Sequence, residues 1–178
     1  GVGYPTTNGA FQENFGGGGT DFGISKLNPE GTDLLWASYV GGSSAETPHS
    51  MIANNLQELY VYGSTSSTNF PTVSGCFDTS HNGTTDIVVV KFSVDGSELL
   101  GSTYIGGLGS DGTNAAPVNY GDSFRGEIVL DMNQKPIIAS SSTSSDFPVT
   151  NTAYQSDLAG TESFQDVVVF RLNESLTI

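Results

Sequence analysis

Apolar and polar residues alternate in short runs along this chain, and the runs recur. After each of three aspartates, Asp21, Asp86 and Asp166, comes a stretch rich in aliphatic and aromatic residues that reads as a β-strand: Phe22–Leu27, 87–92 and 167–172. The first two stretches meet a tight turn, Pro29-Glu30-Gly31 or Val94-Asp95-Gly96, where glycine supplies a positive φ. A second strand returns over Leu34–Val40 or Leu99–Ile105, which predicts a β-hairpin. Past a Gly-Gly breaker, Gly41-Gly42 or Gly106-Gly107, the pattern predicts a third short strand near 50–53 or Glu127–Leu130. A fourth follows a polar turn, at 59–63 or 136–140. No segment carries a sustained 3.6-residue apolar period, so the sequence predicts little helix.

The hairpin region is duplicated. Residues 20–42 and 85–107 align without a gap at an offset of 65, with nine of 23 positions identical. A second block recurs three times: PTTNGAF from Pro5, PTVSGCF from Pro71 and PVTNTAY from Pro148. The units are therefore residues 5–70, 71–147 and, in part, 148–178 of a single repeat segment. The second unit is longer, and its extra residues fall within 108–132, an insertion in one inter-strand loop of the kind that often lines a binding face.

Four antiparallel strands per unit predict an all-β fold built of β-propeller blades, about two full blades plus parts of flanking ones. Val88-Val89-Val90 and Val167-Val168-Val169 are apolar on both faces, as expected of inner strands buried between neighbouring blades. Two blades leave exposed edges. The sequence thus predicts a fragment of a larger protein, with a ring completed by several chains as the alternative.

Charge narrows the partners. Five basic and 19 acidic residues among 178 give a formal charge of −14. That argues against nucleic acid, whose affinity comes largely from Lys and Arg on phosphates, and against an anionic membrane surface. No apolar run approaches the ~20 residues of a membrane-spanning helix, so direct membrane insertion is not expected. No signal peptide is visible. A single cysteine, Cys76, allows no internal disulfide. Abundant Gly, Ser, Thr and Asn suit a loop-rich extracellular β protein.

These residues resemble the SBBP family of bacterial β-propeller repeats. The hairpin pattern matches at Asp21, Lys26, Leu27, Gly31, Leu35, Trp36, Tyr39, Gly41 and Gly42. The tail pattern matches at Gly63, Thr65, Ser67, Phe70, Pro71, Thr72, Gly75 and Phe77. The resemblance implies a secreted or surface-exposed propeller of Bacteroidetes-like bacteria, exported by the type IX secretion system, with a protein or glycan partner at the cell surface. Gly101, where the pattern has Trp, and Gly23, where it has a β-branched residue, are departures. The segment 43–48 also lacks the usual Gly-Asp pair.

Candidate chemistry is sparse. Asp21, Asp86 and Asp166 recur at one position, which predicts structural aspartates bonding backbone amides before a strand rather than catalytic acids. Lys26, Lys91 and Arg171 recur likewise and are expected to snorkel or to pair with an acid. Asp111, Asp122 and Asp131, with Asn114 and Asn119, form an oxygen-rich segment without EF-hand spacing that reads as a solvated loop, the alternative being a Ca²⁺ site. Cys76 aligns with Ala10 and Ala153 and reads as a small buried residue. His49 and His81 do not recur and form no zinc pattern. Trp36, Tyr39, Tyr104 and Tyr120 are candidates for a carbohydrate-stacking surface, although recurrence places Tyr39 and Tyr104 in packing. A functional carboxylate pair is invisible at this level. The sequence predicts a non-enzymatic binding segment, with a polysaccharide-degrading propeller enzyme or a structural spacer as alternatives.

Overall fold

Nine β-strands, and no helix, make up the regular structure of the described residues of this computed structural model, 1–114, 126–159 and 165–177. They are β1 (Phe22–Leu27), β2 (Leu34–Val40), β3 (Glu46–Ala53), β4 (Leu59–Thr65), β5 (Asp86–Phe92), β6 (Leu99–Ile105), β7 (Glu127–Leu130), β8 (Pro136–Ser142) and β9 (Asp166–Arg171). The duplicated hairpins form as the turn glycines dictate. Gly31 and Gly96 both sit at φ 71°, a left-handed conformation that costs other residues roughly 1–2 kcal/mol. Each donates its N–H back across the turn, to Asn28 O at 2.9 Å and to Ser93 O at 3.1 Å.

The strands group into antiparallel sheets of two, four and three strands, ordered β1-β2, β3-β4-β5-β6 and β7-β8-β9. The sheets are out of phase with the sequence units. β2 does not pair with β3. Instead β4, the last strand of one unit, pairs with β5, the first of the next, through Tyr62↔Val89 and Val61↔Val90. β8 pairs with β9 in the same way. Each larger sheet therefore joins the back half of one unit to the front half of the following one.

The four-stranded sheet is the middle layer of a stack. From β5, Val88, Val90 and Phe92 face Phe22, Ile24, Trp36 and Val40 of the two-stranded sheet. Ile87 and Val89 face the other way, with Tyr60 and Tyr62, towards Ile128, Ile138 and Leu172. Alternating side chains point to opposite faces, so a strand buried on both must be apolar throughout. Each fully buried Val or Ile contributes about 1.5–3 kcal/mol.

Several expectations need correction. β9 shares the triple-valine pattern but is not an inner strand: Val167 and Val169 are 77% and 67% exposed, because β9 is the last strand of its sheet and nothing described covers that face. The third strand of the first unit begins at Glu46, four residues before the expected start, because its ladder continues through Glu46↔Thr65 across a bulge between Pro48 and Ser50. Cys76 is half-buried rather than buried, with Sγ 3.2 Å from Asp78 O.

Both departures from the repeat pattern are matched by a neighbour. A Cβ on Gly23 would lie 3.0 Å from the Tyr4 ring, so glycine leaves room for that side chain. In the first unit Trp36 lies against Gly96; in the second, Gly101 replaces the tryptophan and Leu176 stands at the turn position of Gly96. Leu176 is fully buried at φ 57°, and a Cβ on Gly101 would be 3.0 Å from its Cγ. Large and small have exchanged sides.

Candidate functional site: two acidic Gly-Gly corners

The chemistry-bearing side chains gather where each hairpin ends in Gly-Gly. Asp21, at the entrance to β1, accepts a hydrogen bond on Oδ2 from Gly16 N–H at 2.7 Å. Asp86 does the same with Asn82 N–H at 2.8 Å, and Asp166 with Ala159 N–H at 2.6 Å. The fourth residue after the Gly-Gly pair brings a second acid to each of the first two corners: Glu46 in one, Asp111 in the other.

These second acids occupy equivalent positions. Glu46 accepts from Gly42 N–H at 3.1 Å, from Thr65 Oγ1 at 2.6 Å and from Ser67 Oγ at 2.5 Å. Asp111 accepts on Oδ2 from Gly107 N–H at 2.8 Å and from Ser144 Oγ at 2.8 Å. Glu46 and Asp111 obey the 65-residue offset of the hairpins. That offset was the signal for Glu46, and it resolves the missing Gly-Asp pair of segment 43–48: the acid is present, as glutamate.

Sterics explain the glycines. A Cβ on Gly41 would lie 2.6 Å from Asp21 Oδ1 and 2.6 Å from Glu46 Oε2. On Gly106 it would lie 2.6 Å from Asp86 Oδ1 and 2.8 Å from Asp111 Oδ2. A Cβ on Gly42 or on Gly107 would in turn collide with the Ser67 or the Asp146 side chain. The first glycine of each pair is the gap across which two carboxylates face each other.

Burial dominates the electrostatics. It pushes the carboxyls of Glu46, Asp86 and Asp111 above the usual carboxylate range, against the hydrogen bonds each accepts. Asp21 lowers nothing for Glu46, and Asp111 nothing for Asp86; like charge raises both further. His81 opposes this at Asp86. The imidazole stands where the first unit has Phe15: Phe15 packs edge-on to Tyr39 at 5.8 Å, and His81 edge-on to Tyr104 at 5.9 Å.

Asp111 is therefore not part of a solvated loop. It is fully buried and bridged to Ser142, because its carboxylate is held by Gly107 and Ser144. Asp131 is elsewhere, in the β7–β8 turn. It accepts from Asn133 and Lys135 N–H at 2.8 and 2.9 Å and pairs with Arg171 at 3.3 Å. Asp122, Asn119 and Tyr120 lie outside the described residues. Among the described residues, no three His, Cys, Asp or Glu side chains are placed to share a metal ion.

The remaining candidates are structural. Lys91 pairs with Glu58 at 2.7 Å beneath the Tyr60 ring, and Lys26 donates to Val94 O at 3.1 Å. Trp36, Tyr39 and Tyr104 are buried, so none presents a stacking face. The tyrosines act as clasps. Tyr104 Oη donates to Ser67 O at 2.7 Å and accepts from Phe70 N–H at 2.8 Å. Tyr39 Oη makes the same pair of bonds to Gly1 O and Tyr4 N–H, at 2.8 and 2.9 Å.

The insertion of the second unit departs just after Asp111 and returns at Glu127. The corresponding place in the first unit is the bulge at His49, where the ladder is already interrupted and extra residues break no pairing. Compared with protein-family models and with curated proteins, the sequence matches none.

Proposed function

We propose that the chain is a segment of an extracellular β-propeller of SBBP type, working as a non-enzymatic binding module at a bacterial surface. The observation that carries this reading is the duplication of the acidic corner, residue for residue, in successive units. A feature copied in successive units builds the scaffold, whereas a catalytic centre is made once. The burial of these acids also supports it, since a fully buried Asp86 or Asp111 presents no oxygen to a polymeric substrate. The antiparallel four-stranded sheet, packed on both faces by neighbouring sheets, is what a propeller blade requires. The exposed valines of β9 support a further layer on that face, from a longer chain or from another copy.

Affinity for a glycan or protein then comes from exposed loops on this rigid stack. The test is retention of the labelled chain on arrays of bacterial-surface glycans and proteins, followed by a turnover assay on whatever is retained. Saturable retention without turnover is the expected result. Turnover of a retained polysaccharide, lost on Asp111→Ala or Asp122→Ala, would establish the enzymatic alternative. Neither retention nor turnover would leave a spacer.

A further inference from the structure

We infer that each Gly-Gly corner is a binding site for a hard divalent cation of the Ca²⁺ class, held between Asp86 and Asp111 in one unit and between Asp21 and Glu46 in the other. The first ground is geometric. Two carboxylates approach across a glycine that carries no side chain, with Asp86 Oδ1 and Asp111 Oδ2 within 2.6 and 2.8 Å of the position a Gly106 Cβ would take. The Gly41 corner repeats this arrangement with Asp21 Oδ1 and Glu46 Oε2.

The second ground is independent of that clustering. Asp86 and Asp21 each spend Oδ2 on a backbone amide and leave Oδ1 without a partner. Asp86 Oδ1 and Asp21 Oδ1, the oxygens that face the glycine, are buried and accept no hydrogen bond from any described residue, while the Asp111 carboxyl is held by the Ser142 side chain as well. Asp86 and Asp111 are 0% exposed and Asp21 8%. Thr85 Oγ1, beside Asp86, is buried and unpartnered as well. Nearly all buried polar groups in folded proteins are satisfied, and a buried carboxylate without a counter-charge is costly.

The compensating charge does not come from Lys or Arg. The ion pairs of the described residues lie elsewhere, at Lys91–Glu58 and Arg171–Asp131. The titratable groups facing the acids are His81 beside Asp86, Asp146 beside Asp111 and Asp21 beside Glu46. The donors on offer are carboxylate and hydroxyl oxygens, which select Ca²⁺ over softer ions. Two acids do not fill the ~6–8 oxygen ligands of Ca²⁺, and water and backbone carbonyls complete such shells.

The experiment uses the whole chain, stripped with EDTA and dialysed at pH 7 and fixed ionic strength. Calcium chloride is titrated in, with the melting temperature followed and bound calcium counted by native mass spectrometry. At a hundredfold excess over Kd, each filled site is expected to raise Tm by about 5–10 °C, so two ions per chain should raise it by about 10–20 °C. Asp111→Asn should remove one ion, and Asp21→Asn the other. If Asp111→Asn does not fold, Asp86→Asn tests the same corner, and the count on the unaltered chain needs no variant. An unchanged Tm with no bound calcium would overturn the proposal. So would an equal rise with magnesium chloride, which would mean general screening of the acidic chain. A Tm that climbs on acidification from pH 7 to 5, indifferent to calcium, would overturn it in favour of a shared proton.

Discussion

Gly101→Trp should destabilise the protein by about 2–3 kcal/mol, the upper part of the usual range for overpacking a filled core, and a second change, Leu176→Gly, should recover most of it. In the first unit Trp36 stacks on Phe92 at 5.9 Å, donates from Nε1 to Val94 O at 3.0 Å, and lies where a Gly96 Cβ would be 2.4 Å from its ring. In the second unit the partners are inverted, with Leu176 filling the space beside Gly101. Tryptophan at 101 has nowhere to go until that leucine is removed. Leu176→Gly alone should cost about 2–3 kcal/mol, since lost burial outweighs the roughly 1 kcal/mol released from its left-handed backbone. The double variant should restore the first unit's Trp-Gly pairing. Urea denaturation of the four proteins measures the coupling, expected at 2 kcal/mol or more. Additive losses would mean that residues 101 and 176 do not share a space.

Tyr104→Phe should cost about 2–4 kcal/mol although it removes one oxygen atom. The hydroxyl serves both Ser67 O and Phe70 N–H in the core, and its loss leaves two buried backbone groups without partners at about 1–3 kcal/mol each. Tyr39→Phe is the control. Its hydroxyl makes the same bonds to the exposed Gly1 and half-buried Tyr4, where water can substitute, so the loss should stay near 1 kcal/mol or below. The two variants also separate at high pH. Burial pushes the Tyr104 hydroxyl up to about 12. Between about pH 10, where an unfolded tyrosine ionises, and pH 12, the folded protein keeps a proton that the unfolded chain loses. Stability therefore falls as pH rises through that window, by roughly 2–3 kcal/mol for this residue. Tyr104→Phe should show a shallower alkaline loss than the parent protein. An equal loss would place the titrating group elsewhere, with Tyr62, also pushed up to about 12 by burial, the next to test.

Local structure was legible in the sequence because local residues determine it. The bounds of β1, β2, β6 and β7 follow from alternation and from turn glycines held at one φ. Partnership between distant strands was not legible. β4 and β5 are separated by residues 66–85, and nothing in an apolar run specifies which other run it joins. Counting four strands from Asp21 matched the number in the middle sheet alone, and with the wrong phase. The acidic corners failed for a related reason. Asp111 looked like a loop residue because of the insertion beside it, and Glu46 differed in length from the expected aspartate. Only their common 65-residue spacing tied them together. Gly101 was visible as a departure, but its explanation lies in Leu176, remote in sequence and typed as nothing unusual. The three valines of β9 read as interior because their pattern equals that of β5. Burial depends on what covers a strand, and the residues of the strand do not record that.

The central claim is that sheets are assembled across unit boundaries, with β4 paired to β5. Cross-strand nuclear Overhauser effects in an isotope-labelled sample test it most directly. The account predicts backbone contacts between Tyr62 and Val89 and between Tyr60 and Lys91, with none linking β2 to β3 as sheet neighbours. Contacts pairing β2 with β3, and none between β4 and β5, would contradict it and return each sheet to a single sequence unit.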